Sequence, residues 1–204
     1  HIYPIPYADT PVVRALFEDE SIKTADDAMR RIVSTITGRM DAGARNVAIA
    51  HGYVVKSGEA PETSESERPL SMGGTEQIDA SVFEPFTYTA LGHLHSPQRA
   101  GSSRVRYSGS LLKYSFSEVS QKKGVTVVDI SEDGSVETSF LEFSPRRDMR
   151  IIEGELSRLV DPQTVSTGSS DDYIHAVLTD KGELLDPMAR LRSVYPNVMT
   201  LERK

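Results

Sequence analysis

Two histidines one residue apart are the residues of this chain best suited to bind a metal ion. His93 and His95 lie in the sequence Gly-His-Leu-His, which directly follows the apolar residues 88–91. A third histidine, His51, follows a second apolar run at residues 47–50. Neutral imidazole is a common ligand of Zn, Mn, Fe, Ni and Cu, and an H-x-H pair directs both rings into one cavity if the backbone turns there. We therefore predict a metal site that includes these three histidines.

The position of the histidines relative to the predicted strands supports this site. Residues 47–50 and 88–91 are short buried-type strands, and ligands of open α/β sheets gather outside the carboxyl ends of the strands. Taken alone, His51 is more often a hydrogen-bonded structural residue, but the nearby pair makes a functional role the better interpretation. The other two histidines carry no predicted role, because His175 lies in an alternating strand and His1 is terminal.

An amphipathic helix is predicted before the strand that leads to His51. Residues 24–27 resemble a capping box, and apolar side chains then recur at helical spacing as far as Gly43. The strand that follows is apolar throughout, which is typical of a sheet covered on both faces. Residues 56–74 are polar, acidic and rich in chain-breaking residues, so a surface loop is predicted there. Such a loop is either a lid over the substrate or slack chain, meaning a connection with no role in the site, and slack chain is favoured.

Strands dominate the part of the chain that follows the histidine pair. They are predicted at residues 105–108, 124–130 and 136–143, with Asp133-Gly134 as a hairpin turn. A hinge is predicted at residues 144–148. Beyond it, elements in the order β-β-α-β are predicted at residues 150–156, 173–178, 187–194 and 198–201, with a loop at 166–172. We predict two domains, residues 1–145 and residues 146–204, of which the second is a small α+β domain.

The composition limits the classes of protein to which the chain can belong. Its 204 residues are 38% hydrophobic and 26% charged, as in globular proteins, and no apolar stretch approaches the roughly 20 residues of a membrane helix. The absence of cysteine excludes disulfides, zinc–thiolate sites and cysteine nucleophiles. A net charge of −7 argues against broad non-specific attraction to nucleic acid, although a local basic groove or a bound metal overrides an average. A cytoplasmic location is the simplest prediction.

Three runs of residues together resemble one known family. They are Tyr-Thr-Ala-Leu-Gly-His-Leu-His-Ser-Pro-Gln at residues 88–98, Arg-Tyr-Ser-Gly-Ser at 106–110 and Tyr-Ser-Phe-Ser-Glu at 114–118. The chain is similar in these runs to bacterial SbcD, the nuclease-subunit family of SbcC–SbcD complexes within the calcineurin-like metallophosphoesterases. Many phosphoesterases share the G-H-x-H element, whereas the other two runs are far more specific. The resemblance also includes residues 3–7, 66–68, 73–74 and 146–147.

The resemblance implies an α/β fold, namely the C-terminal half of a layered α/β/β/α metallophosphoesterase sandwich, and a small α+β capping domain. It implies two divalent metal ions, usually manganese, with His51 and His93 binding one ion and His95 the other. The implied function is that of a metal-dependent DNA nuclease subunit, with double-strand exonuclease and single-strand endonuclease activity, in DNA replication, recombination and repair. The implied partners are DNA, an SbcC-type ATPase subunit and, in the full-length protein, a second copy in a homodimer.

The chain departs from the family pattern in a way that bears on activity. The other ligands of the family come from D-x-H, G-D and G-N-H-D motifs, and none of these occurs in the 204 residues. The catalytic residues are therefore expected on a missing segment, and three imidazoles without carboxylates suit hard manganese poorly. We expect an inactive piece of a longer protein, which also fits its strand-like start without methionine. Two smaller departures, Gly52 and Leu111, affect only the local backbone.

Two other functions are compatible with the sequence. One is a non-catalytic module that docks DNA and the ATPase, and the other is a calcineurin-like phosphatase for small phosphoesters. The Y-S-F-S-E run and the appended domain disfavour the phosphatase. DNA-binding residues are left unassigned, because the basic residues are more simply solvated or ion-paired and the aromatic residues more simply belong to the core. These residues are Lys122, Lys123, Arg146, Arg147 and Arg150, and Tyr107, Tyr114 and Phe116.

Overall fold

The computed structural model describes residues 1–7, 9–56, 59–67 and 75–204. Within it the chain divides into two compact units. The first unit contains residues 1–111 and 122–143, and the second contains residues 112–121 and 144–204. The Y-S-F-S-E run thus belongs with the C-terminal unit, which the predicted division after residue 145 did not anticipate. The role of that unit as a capping domain stays a prediction.

The first unit contains two α-helices, one short 3-10 helix at Ala80–Phe83 and nine strands among its described residues. In chain order the α-helices and strands are β1 Ile2–Pro4, α1 Thr10–Phe17, α2 Ala25–Thr37, β2 Val47–His51, β3 Tyr53–Val55, β4 Gln77–Asp79, β5 Tyr88–Gly92, β6 Gln98–Ala100, β7 Ser102–Tyr107, β8 Gly124–Ile130 and β9 Val136–Glu142. The main sheet has the strand order β1-β2-β5-β7-β6, in which the edge strand β6 is antiparallel and the others are parallel. Strands β3 and β4 form a parallel pair, and β8 and β9 form an antiparallel hairpin.

The predicted start of helix α2 is confirmed, whereas its predicted end is wrong. The hydroxyl of Thr24 accepts a hydrogen bond from the backbone N–H of Asp27, and the Asp27 carboxylate accepts one from the N–H of Thr24, which completes the capping box. The helix ends at Thr37 and does not reach Gly43. Glycine at position 38 disfavours further helix, and the Asp41 side chain forms a turn by accepting from the N–H of Gly43 at 2.9 Å.

Helix α1 was not predicted from the sequence. It begins with Pro11 in its first turn, where a missing backbone N–H costs nothing, and it packs against α2. Val13, Ile22 and Ala28 form the small buried cluster between these two helices. The structured segment before His51 therefore begins earlier than the hydrophobic periodicity of α2 alone would indicate.

The two faces of the main sheet are buried to different extents. Ala48, Ala50, Leu91, Val105 and Tyr107 are buried on the face that packs with α2. The opposite face is more open: the side chain of Ile49 is 47% exposed and that of Ile2 is 68% exposed. Tyr88, which pairs with Val47 and shares this face, is nevertheless buried, so the described residues cover the second face in part and its full coverage stays a prediction. An apolar strand sequence does not by itself identify what covers the second face.

The second unit is built around a three-stranded parallel sheet. Its elements are β10 Met149–Gly154, α3 Leu156–Leu159, α4 Pro162–Val165, β11 Tyr173–Leu178, α5 Pro187–Arg192 and β12 Val198–Arg203, with the strand order β10-β11-β12. The α+β prediction is wrong here, because the order is β-α-α-β-α-β and both strand pairs are parallel. Parallel neighbours need long crossover connections, and the two short helices supply one. Leu156, Ile174, Leu178, Leu191 and Tyr195 lie in the core of this unit.

The helices of both units are short. The longest among the described residues, α2, has 13 residues, while a membrane span needs about 20. No helix in the described ranges combines the length and the apolar character needed to cross a bilayer.

Candidate metal centre

His51 and His93 lie side by side at one edge of the main sheet. His51 is the last residue of β2 and is in register with Gly92, the last residue of β5. Because β2 and β5 are parallel neighbours, their carboxyl ends meet at the same edge, and His93 follows at once. The two ring centroids are 5.5 Å apart, and the rings are nearly perpendicular at 89°. The predicted location of both side chains at strand ends is confirmed.

The backbone of Gly92 and His93 allows this close approach. A Cβ atom at residue 92 would lie 2.9 Å from Nδ1 of His51, so glycine leaves the room that the imidazole occupies. His93 has a φ of 126°, which is uncommon for a residue with a side chain. Such conformations cost about 1–3 kcal/mol and cluster at functional sites. The turn that an H-x-H pair requires is therefore present at His93.

A cavity opens beside the two rings. Its volume is about 830 Å³, and its lining includes both histidines together with Arg14 and Lys23. Two tyrosines that also line it contact the rings edge-on. The centroid of Tyr7 lies 6.2 Å from that of His51, and Tyr53 lies at the same distance from His93. The histidine pair therefore borders a space large enough for a ligand.

Burial lowers the pKa of His93 below its ordinary value, and the neighbouring His51 lowers it further. The carboxylates of Glu67 and Glu76 act in the opposite direction, because they favour the imidazolium form. The net effect on the pKa is a decrease, so His93 is mainly neutral at pH 7. A neutral imidazole keeps the lone pair with which it would bind a metal ion.

His95 is held by contacts of its own. Its Nδ1 lies 2.9 Å from the hydroxyl of Ser66, and its backbone N–H donates to Glu67 Oε1 at 2.6 Å. Its carbonyl oxygen accepts from the N–H of Ser110 at 3.0 Å and from Nζ of Lys123 at 2.9 Å. The ring of His95 thus contacts a residue that precedes it, and its backbone is held by residues that precede and follow it in the chain. Its assignment to a second metal ion stays a prediction.

Residues of the Tyr-Ser-Gly-Ser run contact the backbone next to His51 and that of His95. The Tyr107 hydroxyl is buried; it donates to the carbonyl of Gly52 at 2.8 Å and accepts from the N–H of Val54 at 2.6 Å. It thereby fixes the strand that follows His51, and burial raises its pKa well above the ordinary tyrosine value. Gly109 has a φ of 82°, and a Cβ there would lie 2.8 Å from the carbonyl oxygen of His95. Tyr107 is therefore a core residue, as its sequence position favoured.

The described residues do not form a complete metal site by themselves. His51 and His93 are close enough to contribute two ligands to one ion. In the described ranges, however, no group of three or more His, Cys, Asp or Glu side chains is placed to hold a metal. Protein metal sites generally have at least three protein ligands, and manganese prefers carboxylates among them. The pair therefore fits one part of a metal site and lacks the carboxylates that manganese would require.

Sequence reasoning missed the residues that hold His95. Ser66 and Glu67 lie in the acidic stretch that was favoured as slack chain, and that interpretation is wrong for residues 64–67. The detectable signal was the spacing of Ser64 and Glu67, which is that of a capping box. Glu67 accepts from both the N–H and the hydroxyl of Ser64 at 3.1 Å. The sequence contained no signal that this turn contacts His95. Residues 57–58 and 68–74 of the predicted loop lie outside the described residues.

Two histidines with no predicted function have structural contacts. His175 is half-buried in β11, with Nε2 3.5 Å from a carboxylate oxygen of Glu202 and its ring centroid 5.3 Å from that of Phe116. His1 is exposed, and its amino group donates to the carbonyl of Arg45 at 2.6 Å.

Several of the basic side chains form ion pairs. Their nitrogen–oxygen distances are 3.5 Å for Arg147–Asp171, 2.7 Å for Arg150–Asp172 and 2.9 Å for Lys122–Glu142. These contacts agree with the ion-paired interpretation and give no support to DNA binding.

Two comparisons relate this chain to known proteins. Residues 145–204 match the SbcD_C family model, which is described as the Type 5 capsule protein repressor C-terminal domain. Over 199 residues the chain is 34% identical to the SbcD subunit of the nuclease SbcCD from Staphylococcus epidermidis (strain ATCC 12228 / FDA PCI 1200). This match includes 98% of the chain and 52% of the relative. The chain therefore spans about half the length of this curated relative.

Proposed function

Because this chain belongs to the SbcD family of nuclease subunits, we propose that it supplies part of a two-metal centre that hydrolyses phosphodiester bonds in DNA. The observation that carries the proposal is the perpendicular pair of His51 and His93 at adjacent strand ends. In this proposal the pair binds one divalent ion and His95 binds the second. A two-metal centre, when filled, would supply an activated water molecule and positive charge to stabilise the leaving oxygen.

The residues of the chain have positioning roles in this mechanism. Gly92 gives the His51 ring its space, and the turned backbone of His93 brings the second ring beside it. Burial keeps His93 mainly neutral, so no proton has to leave before it binds an ion. The cavity beside the rings, with Tyr7 and Tyr53 on its walls, is where a nucleotide of the substrate would lie.

The layered α/β/β/α architecture is part of the proposal. The exposed Ile2 and Ile49 side chains support it, because an apolar sheet face of this kind is normally buried against a further layer. The second unit is proposed as the capping domain that helps to select DNA structures. An SbcC-type ATPase and a second copy of the full-length protein are the proposed partners. A cytoplasmic location stays a prediction from composition.

We further propose that the 204-residue chain alone hydrolyses DNA at no more than the background rate. The reason is that the described residues hold no group of three metal-binding side chains. The same observation favours the second candidate function, a non-catalytic module that docks DNA and the ATPase. The two candidates differ in metal binding, because a docking module has no need for His51 and His93 to share an ion.

Manganese titration of the chain tests the candidate centre directly. Mn²⁺ is paramagnetic, so a bound ion broadens the NMR signals of nearby imidazoles at substoichiometric concentration. We expect selective broadening at His51 and His93, and we expect His51→Ala to abolish it at His93. The matched control is His175→Ala, which removes a histidine that contacts Glu202 and should leave the broadening unchanged. Equal broadening at His175 and His93 would show that the pair is not a metal site.

A DNA hydrolysis assay on the same samples separates inactivity from the family assignment. With linear double-stranded DNA and Mn²⁺, we expect no hydrolysis above that of the His51→Ala variant. Hydrolysis that the His51→Ala variant lacks would contradict the proposed inactivity but would support the nuclease site. Selective metal binding without hydrolysis is the outcome that the proposal expects. If the chain shows no metal binding and no hydrolysis, the result favours the docking module.

A further inference from the structure

Residues 64–67 form a turn that contacts both the backbone and the ring of His95. The Glu67 carboxylate accepts from the hydroxyl of Ser64 at 3.1 Å and from the backbone N–H of His95 at 2.6 Å. The hydroxyls of Ser64 and Ser66 are 3.4 Å apart, and the hydroxyl of Ser66 lies 2.9 Å from Nδ1 of His95. These contacts link a carboxylate to an imidazole through two hydroxyl groups.

Counting protons gives this chain of hydrogen bonds a direction. An ionised carboxylate only accepts, so the single hydroxyl proton of Ser64 is directed to Glu67. The oxygen of Ser64 can therefore only accept from Ser66, which uses the single hydroxyl proton of Ser66. The oxygen of Ser66 must then accept from His95, and the proton on the imidazole lies on Nδ1. All three bonds form at the same time only in this arrangement.

We propose that Ser64, Ser66 and Glu67 are positioning residues that hold His95 as its Nδ1–H tautomer. In this tautomer the lone pair of the ring is on Nε2, the nitrogen that would bind a metal. Partners that fix the tautomer of a ligating histidine typically change metal affinity by about 10–100-fold when they are removed. The metal-binding consequence rests on the proposed function, whereas the tautomer does not.

The backbone contacts of His95 determine where the ring is held. Glu67 binds its N–H, and Ser110 and Lys123 bind its carbonyl oxygen. Lys123 Nζ also donates to the hydroxyl of Ser110 at 2.9 Å, which joins these two groups on the carbonyl side. The peptide groups on both sides of the His95 side chain are thus fixed, and the contact with Ser66 then sets the rotation and the tautomer of the ring.

Long-range ¹H–¹⁵N NMR of the imidazole nitrogens tests the proposal on the 204-residue chain without metal. At about pH 8.5, where ordinary histidines are neutral, the two nitrogens of one tautomer have clearly different ¹⁵N shifts. We expect the protonated nitrogen of His95 to be Nδ1. In Ser66→Ala we expect a shift toward the Nε2–H form, and in Ser66→Thr, which retains the hydroxyl, we expect the original pattern. Thr63→Val removes an exposed hydroxyl from the same segment and is the matched control.

The outcomes separate this proposal from the proposed function. We call the chain of hydrogen bonds from Glu67 through Ser64 and Ser66 to His95 the relay. An Nε2–H form of His95 in the unsubstituted chain would overturn the relay, and this measurement needs no variant to fold. An unchanged tautomer in a folded Ser66→Ala variant would overturn it as well. If the tautomer is as expected but Mn²⁺ broadens none of the three histidines, the relay stands and the metal centre fails. If Mn²⁺ binds and His95 has its proton on Nε2, the metal centre stands and the relay fails.

Discussion

Each of the two units contains a sheet of mainly parallel strands, yet the units place their histidines differently. In the first unit His51 and His93 lie at the ends of neighbouring strands. In the second unit His175 lies within β11, where its Nε2 faces Glu202 on the adjacent strand. A residue within a strand is surrounded by fixed neighbours of the sheet, whereas a residue at a strand end borders open volume. The comparison shows that position along the strand distinguishes a candidate ligand from a structural histidine.

The largest expected effect compares the buried tyrosines of the two units. Tyr107→Phe should destabilise the first unit by about 2–3 kcal/mol, because it leaves the N–H of Val54 and the carbonyl of Gly52 buried without their partner. Tyr195→Phe should destabilise the second unit by about 1 kcal/mol, since its hydroxyl donates to one carbonyl, that of Leu159, at 3.1 Å. Urea unfolding of the two variants measures both free energies. Equal losses of unfolding free energy would show that the two hydrogen bonds of the Tyr107 hydroxyl stabilise the first unit no more than the single one of Tyr195 stabilises the second.

A smaller effect is expected from a methyl group at the strand end. Gly92→Ala places a Cβ atom 2.9 Å from Nδ1 of His51 and should displace that ring. We expect Mn²⁺ affinity, followed by imidazole line broadening, to fall by about tenfold or more. Gly38→Ala is the control, because a Cβ there makes an ordinary contact at 3.5 Å with the carbonyl of Ser34. Unchanged affinity in Gly92→Ala would mean that the spacing of the two rings does not matter for metal binding.

The smallest expected effect concerns acid stability and again contrasts the units. Hydrogen bonds from the N–H of Lys23 and from Thr24 hold the pKa of Asp27 below its ordinary value. The folded pKa is therefore lower than the unfolded pKa of about 3.9, so the stabilisation is present above that pH and is lost as pH falls through the folded pKa. Asp27→Asn should make the unfolding free energy of the first unit less dependent on pH below about pH 4. The control is Asp161→Asn at the start of α4 in the second unit, because it leaves the capping box of the first unit intact.

Local patterns in the sequence predicted much of the first unit. The capping box of α2, the strands before His51 and His93, and the hairpin turn at Gly134 each depend on residues close together in the chain. Such features follow from side-chain periodicity and turn chemistry, which neighbouring residues largely determine. The location of the candidate ligands at strand ends could be predicted from the sequence for the same reason.

The contacts between residues far apart in the chain could not be predicted from the sequence. Ser66 lies 29 positions and Glu67 28 positions before His95, and no local pattern records that they meet. Similarly, the open face near Ile49 depends on which other layers are present, and its apolar sequence gave no information about them. The short helix α3 in the crossover of the second unit was missed because four residues are too few for a recognisable helical period.

The strand pairing of the main sheet also has a consequence for the order in which the molecule folds. Ile2 pairs with Val47, which lies 45 positions later, and Val47 pairs with Tyr88, which lies 41 positions later. In the β8–β9 hairpin, by contrast, Ile130 pairs with Val136 only 6 positions later. Closing long loops costs chain entropy before the contacts reward it, so sheets with distant pairings form slowly. We expect the hairpin to form early and β2 to meet β5 late, so the two imidazoles come together only near the end of folding and a metal ion has no paired site to bind before then.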